Sequence, residues 1–204
     1  MITDVALNCT KTNSQWFRIW NVYAPPVAQS RVSFYEKLGH HFLQERAEAF
    51  MDFPTPGKAL MNNRSFCILG GDLNEAFSHV DKFSSAGNHT LHGSAAEFAR
   101  GAGYTDAYRL VNDCDVRNAY THIRQTHAGV CLQNIDHILI DNAGFVLNSW
   151  IQMKNGPPSD HNPLFVTLNL TSIHVQLPKA KFVYAPGGCK WTPLILRGLP
   201  GSTT

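Results

Sequence analysis

The sequence predicts an α+β layered sandwich, and three observations carry that prediction. Segments with strand character outnumber segments with helical periodicity. One of them, Trp16–Tyr23 (WFRIWNVY), sets Phe17, Ile19 and Tyr23 on one side and Trp16, Trp20 and Val22 on the other. A strand apolar on both sides belongs to a sheet covered on both faces. The chain has 204 residues, 44% of them apolar, which is enough for one domain with a sizeable core.

Met1–Cys9 and Trp16–Tyr23 read as strands, and Ala24-Pro25-Pro26 stops the second because proline lacks the amide hydrogen a ladder needs. A helix follows, capped by Ser30 and running to about Phe50. Phe34, Leu38 and Phe42 recur at a spacing of four on its buried face, with Glu36, His40 and Gln44 opposite. Asp52–Asn63, with Pro54, Pro56 and Gly57, is a connection. Phe66–Leu69 is a short interior strand that Gly70-Gly71 ends, and Phe77–His92 reads as an irregular loop. Ser94 and Glu97 form a capping-box pattern opening a short helix that Gly101 and Gly103 terminate. Ala119–Thr126 and Asn134–Ile140 are expected to pair as strands, and further strands are expected at Gly144–Met153 and after Asp160-His161. Residues 1–170 are expected to form the domain; 171–204, broken by Pro178, Pro186, Gly187, Gly188, Pro193 and Pro200, an extension.

The formal charge is only +2, from 17 basic and 15 acidic residues, so a phosphate-rich partner would have to be recognised by a local site. Five widely spaced cysteines without a CxxC suggest neither a zinc knuckle nor a disulfide framework. Met1–Thr10 lacks the pattern of a signal peptide, and no run approaches the roughly 20 apolar residues of a membrane span. No membrane partner and an intracellular setting are expected.

Three places offer chemistry. In CILGGDLNEAF, Asp72 and Asn74 follow an apolar strand and point to the same side, as base or metal ligand and as hydrogen-bond donor, or else as ordinary turn residues. In QNIDHILI, Asp136 is an acid among Ile135, Ile138, Leu139 and Ile140, and a carboxylate there needs a partner. Backbone amides, an arginine or a histidine would serve; His137 is adjacent and faces the other way, whereas His161 is available by folding. In PPSDHNPLFVTL, Asp160 and His161 precede an apolar strand, either as a surface turn or as a carboxylate for a cation and an imidazole for a phosphoryl or carbonyl oxygen. Carboxylates and the lack of a His/Cys set with zinc spacing favour an oxygen-liganded divalent metal.

Taken together, NVYAPP (Asn21–Pro26), LGGDLNEAF (Leu69–Phe77), YTDAYR (Tyr104–Arg109), YTH (Tyr120–His122), NIDHILI (Asn134–Ile140) and SDHNPL (Ser159–Leu164) resemble the endonuclease/exonuclease/phosphatase superfamily in wording and order. The resemblance implies a DNase I-like four-layer α/β sandwich and metal-dependent phosphoester hydrolysis. Asp72 would orient or deprotonate the attacking water, Asn74 would hold the phosphate, and Tyr23 would contact the phosphate or leaving oxygen. Asp136 would orient His161, His161 would stabilise the transferring phosphoryl group, and Asp160 would help bind Mg²⁺ or Mn²⁺. NVYAPP, the Arg31-to-Phe50 helix and YTHIRQ are most similar to retroelement-type endonucleases, which implies a DNA or other nucleic-acid phosphodiester substrate and allows a nuclear location. Arg109, Arg117, Arg124 and Lys154 are candidate phosphate contacts.

The chain also departs from the family. A first strand bearing Asn and a later metal-binding Glu normally precede NVYAP, and Met1–Trp20 contains neither block, so a domain incomplete at its N-terminus is expected. Asn134 stands where Arg is usual, His137 where an aromatic is common, and His122 where Trp often follows YT. Weak Mg²⁺ binding and poor cleavage are the consequence expected of the missing Glu. A non-catalytic binding domain and a small-molecule phosphatase are the two alternatives.

Overall fold

The computed structural model describes residues 3–7, 17–51, 66–87, 91–113, 115–153 and 159–169. In chain order the elements are β1 (Thr3–Leu7), β2 (Phe17–Asn21), α1 (Ala28–Met51), β3 (Phe66–Asp72), β4 (Lys82–Ser84), α2 (Ser94–Gly101), β5 (Thr105–Asp106) and α3 (Ala107–Val111). They continue with β6 (His122–Thr126), β7 (Gly129–Gln133), β8 (Asp136–Ile140), β9 (Val146–Ile151) and β10 (Leu164–Leu168). No helix among these residues is long and apolar enough to cross a membrane.

A five-stranded sheet runs β1-β2-β3-β8-β5, with β2 parallel to β3 and β8 antiparallel to both β3 and β5. The second layer is made of β4-β7-β6 and β9-β10. Ile123 N donates to Asp160 O at 2.9 Å and Asn162 N to Thr121 O at 2.6 Å, which ties β6 to the segment leading into β10. Period-two alternation divides the core. Ile19, Ile68, Ile138 and Ile140 face the second sheet, against Leu164, Val166 and Leu168. Trp20, Val22, Leu69 and Leu139 face α1 and α2, against Leu38, Phe42 and Phe98. The chain is thus a mixed α+β sandwich of two packed sheets flanked by helices, as expected. Leu69 and Leu139 are fully buried at its centre, where truncation of either to Ala costs about 2–5 kcal/mol.

Helix α1 does more than cover the sheet. Its buried residues Arg31, Tyr35, Leu38 and Phe42 form one stripe at helical spacing. Phe34, expected on that stripe, is half-buried beside it. Arg31 Nε donates to Glu75 at 3.2 Å, and the Tyr35 hydroxyl donates to Leu73 O at 2.5 Å. The helix is therefore pinned to the loop that follows β3.

Several elements differ from the sequence expectation, each for a local reason. Helix α1 starts at Ala28, so Ser30 lies inside its first turn rather than capping it. Strand β3 runs through both glycines to Asp72. Gly71 has φ +143, and a Cβ there would sit 2.0 Å from Val22 O, so the glycine lets the two chains lie together instead of parting them. The expected loop at 77–92 contains β4, which pairs with β7. Strand β6 pairs with β7 and not with β8, whose partners are β3 and β5. The capping box is not formed: Gly93 is the N-cap, and the Ser94 hydroxyl instead donates to Glu75 Oε2 at 2.6 Å. The predicted connection at Asp52–Asn63 and the predicted extension 171–204 lie outside the described residues.

Candidate active site

The centre of the site is a cross-strand pair. Asp72 ends β3 directly opposite Asp136, which begins β8. Asp72 has the parity of Ile68, and Asp136 that of Ile138 and Ile140, so both carboxylates occupy the face turned towards the second sheet. The Asp72 side chain accepts from Asn74 N at 2.8 Å, and Asn74 has φ 52. An Asx turn is thus present, and it fixes the carboxylate. Burial, followed by the charge of Asp136, raises the Asp72 pKa to about 6, although the Asn74 amide and the His161 and His137 imidazoles pull it down.

His161 comes from the other sheet. Its Nδ1 is 2.8 Å from Asp136 Oδ2, and its backbone amide donates to Ser159 Oγ at 3.1 Å. Burial alone would lower its pKa, but the Asp136 hydrogen bond and the charges of Asp136, Asp72 and Asp160 raise it above the usual imidazole value. The imidazolium is therefore favoured. Asp136 is itself fixed from behind: the buried Thr121 hydroxyl accepts from Ile135 N at 3.0 Å and Asp136 N at 3.1 Å. Thr121 N in turn donates to Asn134 Oδ1 at 3.0 Å.

The remaining sequence-derived candidates sit around this centre. Tyr23 is 50% exposed and has the parity of Ile19. It lies on the extension of β2 that pairs with β3 through Val22 N to Gly70 O and Ala24 N to Asp72 O, both 2.9 Å. Asn74 Nδ2 donates to Ala24 O at 2.8 Å, which anchors the amide beside the carboxylate. Asp160 is exposed, with its Oδ2 3.6 Å from His122 Nε2. Of the basic residues, Arg109 pairs with buried Asp81 and Arg117 with Asp115, Arg124 is exposed on β6, and Lys154 lies outside the described residues.

Sequence reasoning passed over His122, which sits across a β-bridge from His161 with ring centroids 4.7 Å apart. Burial and the neighbouring His161 lower its pKa, against the pull of Asp160 and Asp136. It also passed over Thr121 and Glu75. Both His122 and Thr121 lie in the YTH block, and their adjacency to a recognised motif was the available signal. Two sets of ligand atoms come within 4.8 Å of one another and could hold a divalent cation: Asp72, Asp136 and His161, and His122, Asp160 and His161. Carboxylates fit a hard cation, and a cation there would offset the repulsion between Asp72 and Asp136. A cleft of about 540 Å³ lies elsewhere, lined by Phe77, Val80, Asp81, Arg109 and Leu110 but by none of the six candidates.

The chain has an AP-endonuclease/DNase I-like fold. It is similar to an AP endonuclease from Archaeoglobus fulgidus, with 20% identity and a TM-score of 0.57 over 77% of this chain and 64% of that one. It is similar also to the Xenopus laevis APE2 catalytic domain, with 20% identity and a TM-score of 0.53 over 88% of this chain and 57% of that one. The AP endonuclease LMAP from Leishmania major shares 16% identity and a TM-score of 0.53 over 76% of this chain and 51% of that one. The chain thus spans about half to two-thirds of the length of these proteins. No protein-family model and no curated protein matches the sequence.

Proposed function

We propose that the chain is a Mg²⁺- or Mn²⁺-dependent phosphodiesterase domain acting on nucleic acid. The observation that carries this reading is the convergence of Asp72, Asp136 and His161 at one end of the sandwich, with His161 Nδ1 held by Asp136 at 2.8 Å. The likeness to three AP endonucleases supports nucleic acid as the substrate.

The residues divide the work by charge. Asp72, as carboxylate, accepts the proton of the attacking water. Asp136 keeps His161 in the orientation and charge state in which Nε2–H donates to a phosphoryl oxygen as negative charge develops there. The Asn74 amide and the Tyr23 hydroxyl contact the phosphate and the leaving oxygen. Asp160 would help hold Mg²⁺ or Mn²⁺, which would supply positive charge to the phosphate.

Supercoiled plasmid, an abasic duplex and an inositol polyphosphate, each with and without Mg²⁺, test the proposal. Mg²⁺-dependent nicking that Asp72→Ala and His161→Ala both abolish is the expected result. Cleavage that persists in chelator or in both variants overturns it. Duplex binding without cleavage would favour the non-catalytic alternative, and phosphate release from the inositol compound alone would favour a phosphatase.

A further inference from the structure

Among the described residues, His161 has one ring nitrogen engaged, Nδ1. Asp136 holds Nδ1, so Nε2 points away from its carboxylate partner, the arrangement in which a carboxylate orients an imidazole for a metal. Beside it stands a second imidazole that the proposed reaction does not use. His122 is fixed against His161 by a β-bridge flanked by the 2.9 Å and 2.6 Å backbone bonds between β6 and 160–162. The backbone segments that carry both rings are therefore tied together. Asp160, between them in the chain, reaches to 3.6 Å from His122 Nε2, too long for a hydrogen bond. Two ligand atoms on one tetrahedral zinc lie roughly 3.3 Å apart, so that separation is close to the one a shared ion needs. The three donor atoms all lie within 4.8 Å of one another.

We propose that His122, Asp160 and His161 form a binding site for a borderline transition cation of the zinc class. The donor set is the argument: two imidazoles and one carboxylate suit Zn²⁺ or Co²⁺, whereas Mg²⁺ seeks oxygen and retains its waters. Three protein ligands leave a fourth position open to water or to an anion. Because His161 and Asp160 would be shared, zinc at this site would remove both the Nε2–H donor and the Mg²⁺ ligand assigned above; that consequence alone rests on the phosphodiesterase reading.

Metal binding by the full chain in the absence of DNA tests the site. Titration with Co²⁺ should give visible absorption of a four-coordinate complex, and Zn²⁺ calorimetry one site per chain that excess Mg²⁺ does not displace. Asp160→Asn and His122→Gln should each weaken Zn²⁺ binding by about tenfold or more, while His127→Gln, an exposed histidine on the β6–β7 turn, should not. Asp160 is exposed, so its substitution keeps the fold and decides the matter even if His122→Gln is unstable. No binding, binding that both variants retain, or displacement by Mg²⁺ overturns the proposal. Failure of plasmid cleavage leaves it standing, since no nucleic acid enters the measurement.

Discussion

Neighbouring residues on one strand, Asp136 and His137, each complete an Asp–His pair, on opposite faces of the same sheet. In one pair Asp136 meets His161 between the sheets, with about a quarter of the side chain exposed and Nε2 without a hydrogen bond among the described residues. In the other His137, only 3% exposed, faces the helices. There its Nδ1 is 2.7 Å from Asp106 Oδ2, its Nε2 is 3.1 Å from Glu75 O, and Phe77 stacks on it at 3.9 Å. Both nitrogens of His137 are engaged by the fold, and Asp106 also caps α3 through Tyr108 N and Arg109 N. The difference teaches that an Asp–His contact alone identifies nothing. What separates a structural pair from a reactive one is whether a nitrogen is left for a ligand.

Substitutions in the two pairs should therefore fail in different ways. His161→Gln is expected to lower cleavage by about 10³-fold with little change in melting temperature, since it removes a transition-state donor from a partly exposed position. Retained cleavage would break the comparison. His137→Ala should instead destabilise the fold by about 3 kcal/mol in a denaturant titration, by removing the imidazole from Asp106 Oδ2 and from Glu75 O and opening a gap beneath Phe77.

Thr121→Val sharpens the contrast, because it strips the hydroxyl from two buried amides behind Asp136. A loss of about 2 kcal/mol is expected, with a fall in turnover that Thr121→Ser, which keeps the hydroxyl, recovers; an unchanged denaturation midpoint would deny Thr121 its role. The smallest effect has the opposite sign. Asp72 has a folded pKa of about 6, raised from 3.8, so the stability this group lends below pH 4 is lost as pH rises through 6. In chelator, Asp72→Asn should be more stable than the parent chain by about 1 kcal/mol at pH 8, and the gain should vanish near pH 4. A gain that persists at pH 4 would mean that Asp72 is not held at a cost.

The layered sandwich was legible because β2 is apolar on both sides and because strands with apolar periodicity dominate. Asp136 stood out as an acid inside an aliphatic strand. The partnership of Asp136 with His161 could be anticipated chemically, since His137 must face the other way. What stayed hidden depends on long-range geometry. Gly70-Gly71 looks like a strand terminator, and only the approach of Val22 O shows why glycine continues the strand. Ser94-x-x-Glu97 has the letters of a capping box, but Glu75, twenty residues upstream of Ala95, claims the Ser94 hydroxyl and accepts from Ala95 N. The β6–β7 hairpin turns without an Asn-Gly or Asp-Gly signal, so β7 was not anticipated and β6 was given the wrong partner. His122 counted as a departure from a motif, and its importance emerges only from the bridge to a residue 39 positions later.

The contact at Gly71 also limits how this sequence can drift. A methyl group there meets a carbonyl oxygen of the neighbouring chain, and relief would require the continuation of β2 to slide away from β3. That movement would carry Tyr23 away from Asp72. In a saturation library selected only for solubility, position 71 should tolerate replacements only where the backbone can also leave its φ of +143 as the two segments part. Under selection for cleavage it should return glycine alone, so the gap between the two tolerances would measure how tightly the spacing of those two side chains is held.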